Sequence, residues 1–289
     1  NIINGGEVLI NESIETPAVW TSDKTYVVDG WIYVNANLTV QPGTVIKFKT
    51  GSALNFGYNN SSTIVANGTS EKRITFTSYS SSSSAGAWYG VYFYSNTLEN
   101  SSITYCEFNN AGASNYDAIG IYGCRLTFNN NIIKNAKSNG IGVDYEGSFV
   151  SMTGNTIENC GTHVLKLFPQ AIHTIGTNNA FLCNPGYGIF VDGGDVLSTH
   201  SMSAIWRKQS VPYIFDGYVG VETNLTIEPG VVLKFNSYGR IVFGYGASCT
   251  INAIGTSAEP IVFTSSNLTP AAGSWNGIEV RSNTNSNSR

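Results

Sequence analysis

The segment LTVQPGTVIKF, residues 38–48, occurs a second time as LTIEPGVVLKF, residues 225–235. Residues 26–101 align without a gap with residues 213–288, so each residue pairs with one at a constant separation along the chain, as Leu38 does with Leu225. We call this separation the repeat offset. Nearly half of the aligned pairs are identical. An internal repeat of this length and similarity is typical of proteins that stack structural repeats.

With small insertions and deletions the long repeat covers residues 1–102 and 189–289. Each copy consists of short runs with alternating apolar residues, such as Trp31–Val34 and Val45–Phe48, separated by Pro-Gly, Asn-Gly-Thr or Ser-rich turns. Such runs indicate β-strands. No segment shows a helical period, so an all-β protein is predicted.

The middle of the chain, residues 103–188, carries a finer repeat. Its segments align on Asn110, Asn135, Asn159 and Asn184, which recur at a nearly constant spacing. This spacing fits one coil of a parallel β-helix, with three short strands and three turns. The four asparagines are therefore expected to stack, each amide bonding to the amide and backbone of the next coil.

Together these repeats predict one continuous domain over residues 1–289. Its expected fold is a single-stranded, right-handed parallel β-helix of about twelve coils. The second copy stops where the first continues into the middle coils, so the chain is expected to be part of a longer solenoid. The polar tail at residues 282–289 has no apolar pattern to cover a core, which predicts an open last coil and end-to-end self-association through it.

Composition excludes several classes of function. Charged residues make up only 12% of the chain, the net charge is −4 and no basic run occurs, which argues against a nucleic-acid partner. No apolar segment approaches the ~20 residues that span a bilayer, so no membrane insertion is expected. The five cysteines form no CxxC pair, and neither a metal site nor any other cofactor is indicated. The chain opens at Asn1, which favours a processed, secreted or cell-surface product.

The motifs LTxxPGxxIKF, GTxxxxIxFTS and WxGI resemble the coils of right-handed parallel β-helix proteins of the pectin-lyase-like superfamily. The similarity is greatest to secreted or surface proteins of bacteria, many of unknown function. It covers nearly the whole chain and implies the fold, but no single activity, because the superfamily includes lyases, hydrolases, adhesins and inert stalks. The residue patterns of polygalacturonases and the calcium-binding Asp cluster of pectate lyases have no counterpart in this sequence.

Outward-facing residues of the middle coils give the candidate ligand site. Because Ile119/Ile121 and Ile141/Val143 alternate inward, the residues between them face out and form columns along the sheet. One column is small, and a shallow groove beside aromatic rings would suit the stacking of sugar rings from a polysaccharide. The alternative is that the rings only stabilise the sheet. The candidate ligand-binding residues are Tyr92, Tyr94, Tyr122, Phe168 and Phe190.

The catalytic candidates lie in the same columns. Asp144 and Asp192 are expected two coils apart, with Cβ atoms about 9–10 Å from each other. That is close to the carboxyl separation of an inverting glycosidase, and Lys166 would project between them as a possible base. The sequence thus favours a secreted or surface scaffold or adhesive module that binds polysaccharide. The alternative is a polysaccharide lyase or inverting glycoside hydrolase.

Overall fold

The computed structural model describes residues 2–3, 6–81, 83–197, 199 and 203–289. Within these residues the chain is an all-β, parallel β-solenoid of about ten turns, close to the twelve coils expected. Helical structure is confined there to two 3₁₀ helices, Ala113–Asn115 and Pro169–Thr174. The predicted fold class is confirmed.

The chain divides into two compact units. The first comprises Asn1–Leu165 and Asn178–Cys183, and the second comprises Lys166–Thr177 and Asn184–Arg289.

The first unit contains three sheets, whose strands recur once per turn. Their order is β1-β2-β4-β7-β10-β13-β16-β19-β21 in the first sheet, β5-β8-β11-β14-β17 in the second and β3-β6-β9-β12-β15-β18 in the third. Apart from the antiparallel pair β1–β2, the described pairs are parallel. The strands are β1 (Ile2–Ile3), β2 (Glu7–Ile10), β3 (Ala18–Trp20), β4 (Thr25–Val28), β5 (Trp31–Val34), β6 (Leu38–Val40), β7 (Val45–Phe48), β8 (Ala53–Phe56), β9 (Ile64–Asn67), β10 (Ile74–Ser78), β11 (Gly90–Phe93), β12 (Ser102–Thr104), β13 (Cys106–Asn109), β14 (Ile119–Ile121), β15 (Arg125–Asn129), β16 (Ile132–Lys134), β17 (Ile141–Val143), β18 (Ser148–Ser151), β19 (Thr156–Glu158), the boundary strand β20 (Leu165–Leu167) and β21 (Ala180–Leu182).

The second unit repeats this arrangement with the parallel orders β22-β25-β28-β31, β23-β26-β29-β32 and β24-β27-β30. By the repeat offset, β26, β29 and β32 are the counterparts of β5, β8 and β11. The strands are β22 (Ile189–Val191), β23 (Gly194–Leu197), β24 (Ser203–Trp206), β25 (Tyr213–Phe215), β26 (Tyr218–Glu222), β27 (Asn224–Ile227), β28 (Val232–Phe235), β29 (Arg240–Phe243), β30 (Ile251–Ala253), β31 (Val262–Ser265) and β32 (Gly277–Val280).

The Pro-Gly turn inside the recurring segment 38–48 explains why this segment occurs in both copies of the repeat. Gly43 has φ 84°, a left-handed conformation that suits glycine, and Thr44 N–H donates to Gln41 O across the turn at 3.2 Å. Proline before this glycine fixes the other central dihedral of the turn. The turn directs β7 so that Ile46 and Phe48 face the interior, where both are fully buried.

A ladder of asparagine amides joins successive turns of the first unit. The N–H of Cys106 donates to Asn131 Oδ1 at 2.8 Å, that of Asn131 to Asn155 Oδ1 at 2.9 Å, and that of Asn155 to Asn179 Oδ1 at 3.0 Å. Each of these amides also donates to a main-chain carbonyl, as Asn155 Nδ2 does to Phe128 O at 2.9 Å. An asparagine stack therefore exists, but in another register from the expected one.

The asparagines that the sequence assigned to the stack have a different role. Asn110, Asn135 and Asn159 have φ values of 63°, 57° and 52°, in the left-handed region that asparagine tolerates better than most residues. They are half-exposed or exposed, and Asn184 is exposed as well. Asn110, Asn135 and Asn159 recur because they take the same left-handed conformation in successive turns, whereas Asn184 does not share it.

Core positions of the last turn are open to solvent. Ile278 is 46% exposed and Val280 66%, whereas their counterparts in the first copy, Val91 and Phe93, are fully buried. The tail forms no lid over them. Instead it pairs with the edge of β30, where Arg289 N–H donates to Ile251 O at 2.8 Å. Self-association through this end stays a prediction.

Two further findings bear on the expectations. Among the described residues no helix has the length and apolar character needed to cross a membrane. Cys106, Cys124, Cys160 and Cys249 are buried thiols, and Cys183 is half-buried. Burial raises the pKa of Cys124 and of Cys160 to about 12, so both behave as inert core residues.

Candidate functional site

The register of the second sheet places the candidate aromatic residues on its outer face. Tyr92 in β11 lies opposite Gly120 in β14, which in turn lies opposite Gly142 in β17. Their strand neighbours Val91 and Ile119 point inward and are fully buried. Alternate residues of a strand lie on opposite faces, so the outward assignment of Tyr92 holds.

The outer face carries a larger group of rings than the sequence indicated. Ring contacts join it into one set: Trp31 stacks on Tyr92 at 5.7 Å between centroids, and Tyr92 stacks on Tyr122 at 6.3 Å. Tyr94 contacts Tyr122 at 5.4 Å. We call this set the aromatic cluster; its members are Trp31, Tyr33, Tyr58, Tyr89, Tyr92, Tyr94, Tyr116 and Tyr122.

The members of the aromatic cluster differ in exposure, and this decides which of them can touch a ligand. Tyr58 is 54% exposed and Tyr116 is 45% exposed, whereas Tyr92 is 1% exposed. Tyr92 therefore offers no free ring face, and the expectation that it binds a ligand directly is corrected. It supports Tyr116, whose ring lies 5.8 Å from its own.

The expected groove of small residues is largely filled. A methyl group added to Gly120 would lie 2.5 Å from the ring of Tyr122, and one added to Gly90 would lie 2.9 Å from the hydroxyl of Tyr92. The rings thus fold back over the glycines, which explains why these positions are small. The outer face is a shallow aromatic strip rather than a cleft.

Carboxylates lie beside the aromatic cluster. Asn139 Nδ2 donates a hydrogen bond of 2.8 Å to Asp117 Oδ1, and the other oxygen of Asp117 occupies the space above Gly142. Asp144 Oδ1 accepts a hydrogen bond of 2.9 Å from the N–H of Gly123. Both carboxylates are half-buried. Polar acceptors next to ring faces are the usual composition of a saccharide site.

Burial dominates the electrostatics of the aromatic cluster. It raises the pKa of Tyr92 and Tyr122 strongly, and the nearby Asp117 carboxylate adds to both shifts. Burial also raises the pKa of Tyr94, to about 12. Within the described residues the cation–ring contacts involve other aromatic side chains, so the cluster has no cationic neighbour over its rings. Its surface is apolar with an acidic border.

These shifts predict a loss of stability in alkali. The pKa of Tyr94 is raised from 10.0 to about 12, so the folded state favours the protonated hydroxyl. The protonated Tyr94 hydroxyl therefore contributes to the free energy of unfolding. This contribution is complete below pH 10 and is lost as the pH rises toward 12. Chemical denaturation at pH 9 and pH 11 should show a smaller pH-dependent loss for Tyr94→Phe, which cannot ionise, than for the native chain. An identical loss in both would contradict the assignment.

The catalytic candidates are distributed over the two units. Asp144 is held by the turn at Gly123, within the first unit. In the second unit Lys166 Nζ lies 3.4 Å from Asp192 Oδ2 and 5.7 Å from the centre of the Phe190 ring. An ammonium group paired with a carboxylate has no lone pair to accept a proton. These contacts are those of a surface ion pair.

The remaining ligand candidates are also in the second unit. Phe168 directly precedes the 3₁₀ helix Pro169–Thr174, and Phe190 lies in β22. The three tyrosine candidates Tyr92, Tyr94 and Tyr122, in contrast, belong to the aromatic cluster of the first unit. The structure brings Tyr92, Tyr94 and Tyr122 together within the first unit. Among the described residues, His, Cys, Asp and Glu side chains form no group of three that could hold a metal ion.

Sequence reasoning missed five rings and one acid of this site. Trp31 and Tyr33 could have been predicted from the sequence, because Ile32 and Val34 alternate inward in the same strand and leave both rings outside. Tyr58, Tyr89, Tyr116 and Asp117 come from turns and loops, which have no period to indicate a face.

Comparison with known proteins gives one match. The family model for the pectate-lyase-like β-helix domain matches residues 12–121 and 200–289. The second matched segment lies within the second copy of the long repeat, whereas the first covers most of the first copy and continues into the middle coils as far as residue 121. The first segment contains every member of the aromatic cluster except Tyr122. No match was found among the curated proteins or among the solved structures.

Proposed function

Because this chain belongs to the family of pectate-lyase-like β-helix domains, we propose that it is a rigid, secreted or cell-surface module that binds polysaccharide on the aromatic cluster. The observation that carries the proposal is the exposure of Tyr58 and Tyr116 on a base of packed rings. Exposed aromatic rings stack on the C–H faces of sugars, while nearby polar groups bond the hydroxyls.

The base of the aromatic cluster holds the two exposed rings in place before a ligand arrives. Tyr58 contacts Tyr33 at 5.2 Å and Tyr94 at 4.9 Å between ring centroids. Tyr116 contacts Tyr89 at 5.1 Å in an edge-to-face arrangement. A ring that is already fixed loses little conformational entropy on binding, so more of the stacking energy appears as affinity.

The charges around the aromatic cluster favour a neutral polysaccharide over a polyuronate. Asp117 and Asp144 border the rings, and no Lys or Arg lies over them in the described part of the chain. Carboxylates accept hydrogen bonds from sugar hydroxyls but repel the carboxylates of galacturonate. The proposed ligand class therefore differs from the acidic polymer in the family's name.

We expect the native chain to be retarded in affinity electrophoresis through gels that contain a soluble neutral glucan, xyloglucan or galactomannan. Replacing both Tyr58 and Tyr116 by Ala should abolish this retardation, because it removes the exposed stacking faces. Both side chains are about half exposed, so the fold should survive the replacement.

The matched control is Tyr238→Ala, since Tyr238 is 81% exposed and lies outside the aromatic cluster. It should migrate like the native chain. Gels with polygalacturonate should show weaker retardation than gels with a neutral polymer. If no polysaccharide retards the native chain at millimolar sugar concentration, the cluster only stabilises its sheet and the proposal fails.

A further inference from the structure

A pocket of about 300 Å³ lies on the outer face of the sheet β23-β26-β29-β32 in the second unit. Its lining residues are Asp195, Tyr218, Glu222, Arg240 and Tyr245. By the repeat offset, Tyr218 and Tyr245 are the counterparts of Trp31 and Tyr58 of the aromatic cluster. The same face of the repeat is thus aromatic in one copy and charged in the other.

The charged side chains at the pocket are unequally paired. Arg240 Nη1 lies 3.6 Å from Glu279 Oε2, and Arg281 Nε lies 2.7 Å from Glu279 Oε1, so the two arginines share one carboxylate. Asp195 and Glu222 have no ion-pair partner among the described residues. The pocket therefore has two carboxylates without a direct ion pair on its lining, next to one arginine, Arg240.

The carboxylate of Asp195 and the buried hydroxyl of Tyr218 lie in the same space above Gly220. A methyl group added to Gly220 would collide with Asp195 Oδ1 and would lie 2.6 Å from Tyr218 Oη, which places both atoms above this glycine. The hydroxyl oxygen is buried and has no hydrogen-bond partner in the described part of the chain. Burial, Asp195 and Glu222 together raise the pKa of Tyr218, so the negative potential extends to the hydroxyl.

The rings of the pocket already accept cations on their faces. The guanidinium carbon of Arg281 lies 4.3 Å from the centre of the Tyr245 ring, and that of Arg240 lies 5.3 Å from that of Tyr218. Tyr245 is nevertheless 55% exposed and can still contact a ligand. A pocket of this volume is at the small end of ligand sites, enough for a single sugar residue.

We infer that this pocket binds an amino sugar, a saccharide residue with a primary ammonium group, within a cationic polysaccharide. The ammonium group would donate to Asp195 and Glu222, the sugar ring would stack on Tyr245, and Arg240 would donate to a ring hydroxyl. An anionic ligand is disfavoured, because Asp195, Glu222 and Glu279 outnumber Arg240 and Arg281 and leave the site with a net formal charge of −1 (two positive and three negative charges). This site is separate from the aromatic cluster and does not depend on the function proposed there.

The test is calorimetric titration of the full chain at low ionic strength with a β-1,4-linked glucosamine tetramer and with its N-acetylated counterpart. The two ligands differ in charge and share their backbone. We expect the free amine to bind and N-acetylation to weaken binding about tenfold or more, because it removes the ammonium group. Asp195→Asn combined with Glu222→Gln keeps the shape of the pocket and should weaken glucosamine binding by about the same factor.

Two further variants complete the experiment. Glu12→Gln removes a charge from an exposed side chain of the other unit and should leave binding unchanged. Tyr245→Ala should weaken the amine and the N-acetylated tetramer alike, since it removes the stacking face. Equal affinity for the two tetramers, unchanged binding by the double variant, or equally tight binding of spermidine would overturn the assignment. Retention on neutral polysaccharides is measured with different ligands, so failure of one proposal does not decide the other.

Discussion

Replacing Asn155 by Ala should lower the free energy of unfolding by about 2–6 kcal/mol. The side chain of Asn155 is fully buried. Its Oδ1 accepts the N–H of Asn131, and its Nδ2 donates to the carbonyl of Phe128, each at 2.9 Å. Alanine would leave these two main-chain groups buried without partners, and each such group costs about 1–3 kcal/mol. Urea denaturation followed by circular dichroism measures the loss.

The matched control is Asn159→Gly, on the same turn of the solenoid. Asn159 is exposed and has φ 52°, a conformation that glycine adopts without strain. Its replacement should change stability by less than about 0.5 kcal/mol. A large loss at Asn159 together with a small one at Asn155 would place the ladder on the wrong asparagines.

These two asparagines also show how far the sequence determines the fold. The period of the middle coils is visible because each turn of the solenoid repeats its turns and its core positions. Two asparagine series share this period, however: Asn131, Asn155 and Asn179 in the ladder, and Asn110, Asn135 and Asn159 in the left-handed turns. The period alone does not say which series is buried. Neighbouring apolar residues give the face of a strand, but these asparagines lie in turns.

The sequence predicts the residues of the candidate site that lie in strands, but not those that lie in loops. Alternation correctly placed Tyr92 on the outer face, because its neighbours Val91 and Phe93 belong to the core. Alternation does not report what covers an outward residue. Tyr92 is buried by rings from two other turns, and the exposed rings Tyr58 and Tyr116 come from loops. Loop conformation depends on tertiary contacts that no period encodes, so the accessible part of the site could not be predicted.

Trp88 and Trp275 occupy the same position in the two copies of the repeat but differ in burial. Trp88 is fully buried, stacks on Phe48 at 3.9 Å between ring centroids, and donates from Nε1 to Asn109 O at 2.8 Å. Its counterpart Trp275 stacks on Phe235 at 4.4 Å but is half-buried. The same residue at the same position of the motif thus differs in the surface it removes from water.

Trp88→Ala should therefore cost about 3–5 kcal/mol of unfolding free energy, the range for deleting a buried aromatic side chain together with the cavity that remains. Trp275→Ala should cost about 1–2 kcal/mol, since part of its ring is already in contact with water. Denaturation of both variants at low and high protein concentration measures the difference and tests self-association at the last turn. If another copy of the chain covers Ile278 and Val280, the cost of Trp275→Ala should grow with concentration, because association adds to the apparent stability of the turn that contains it. Equal costs for the two tryptophans at low concentration would contradict the difference in burial.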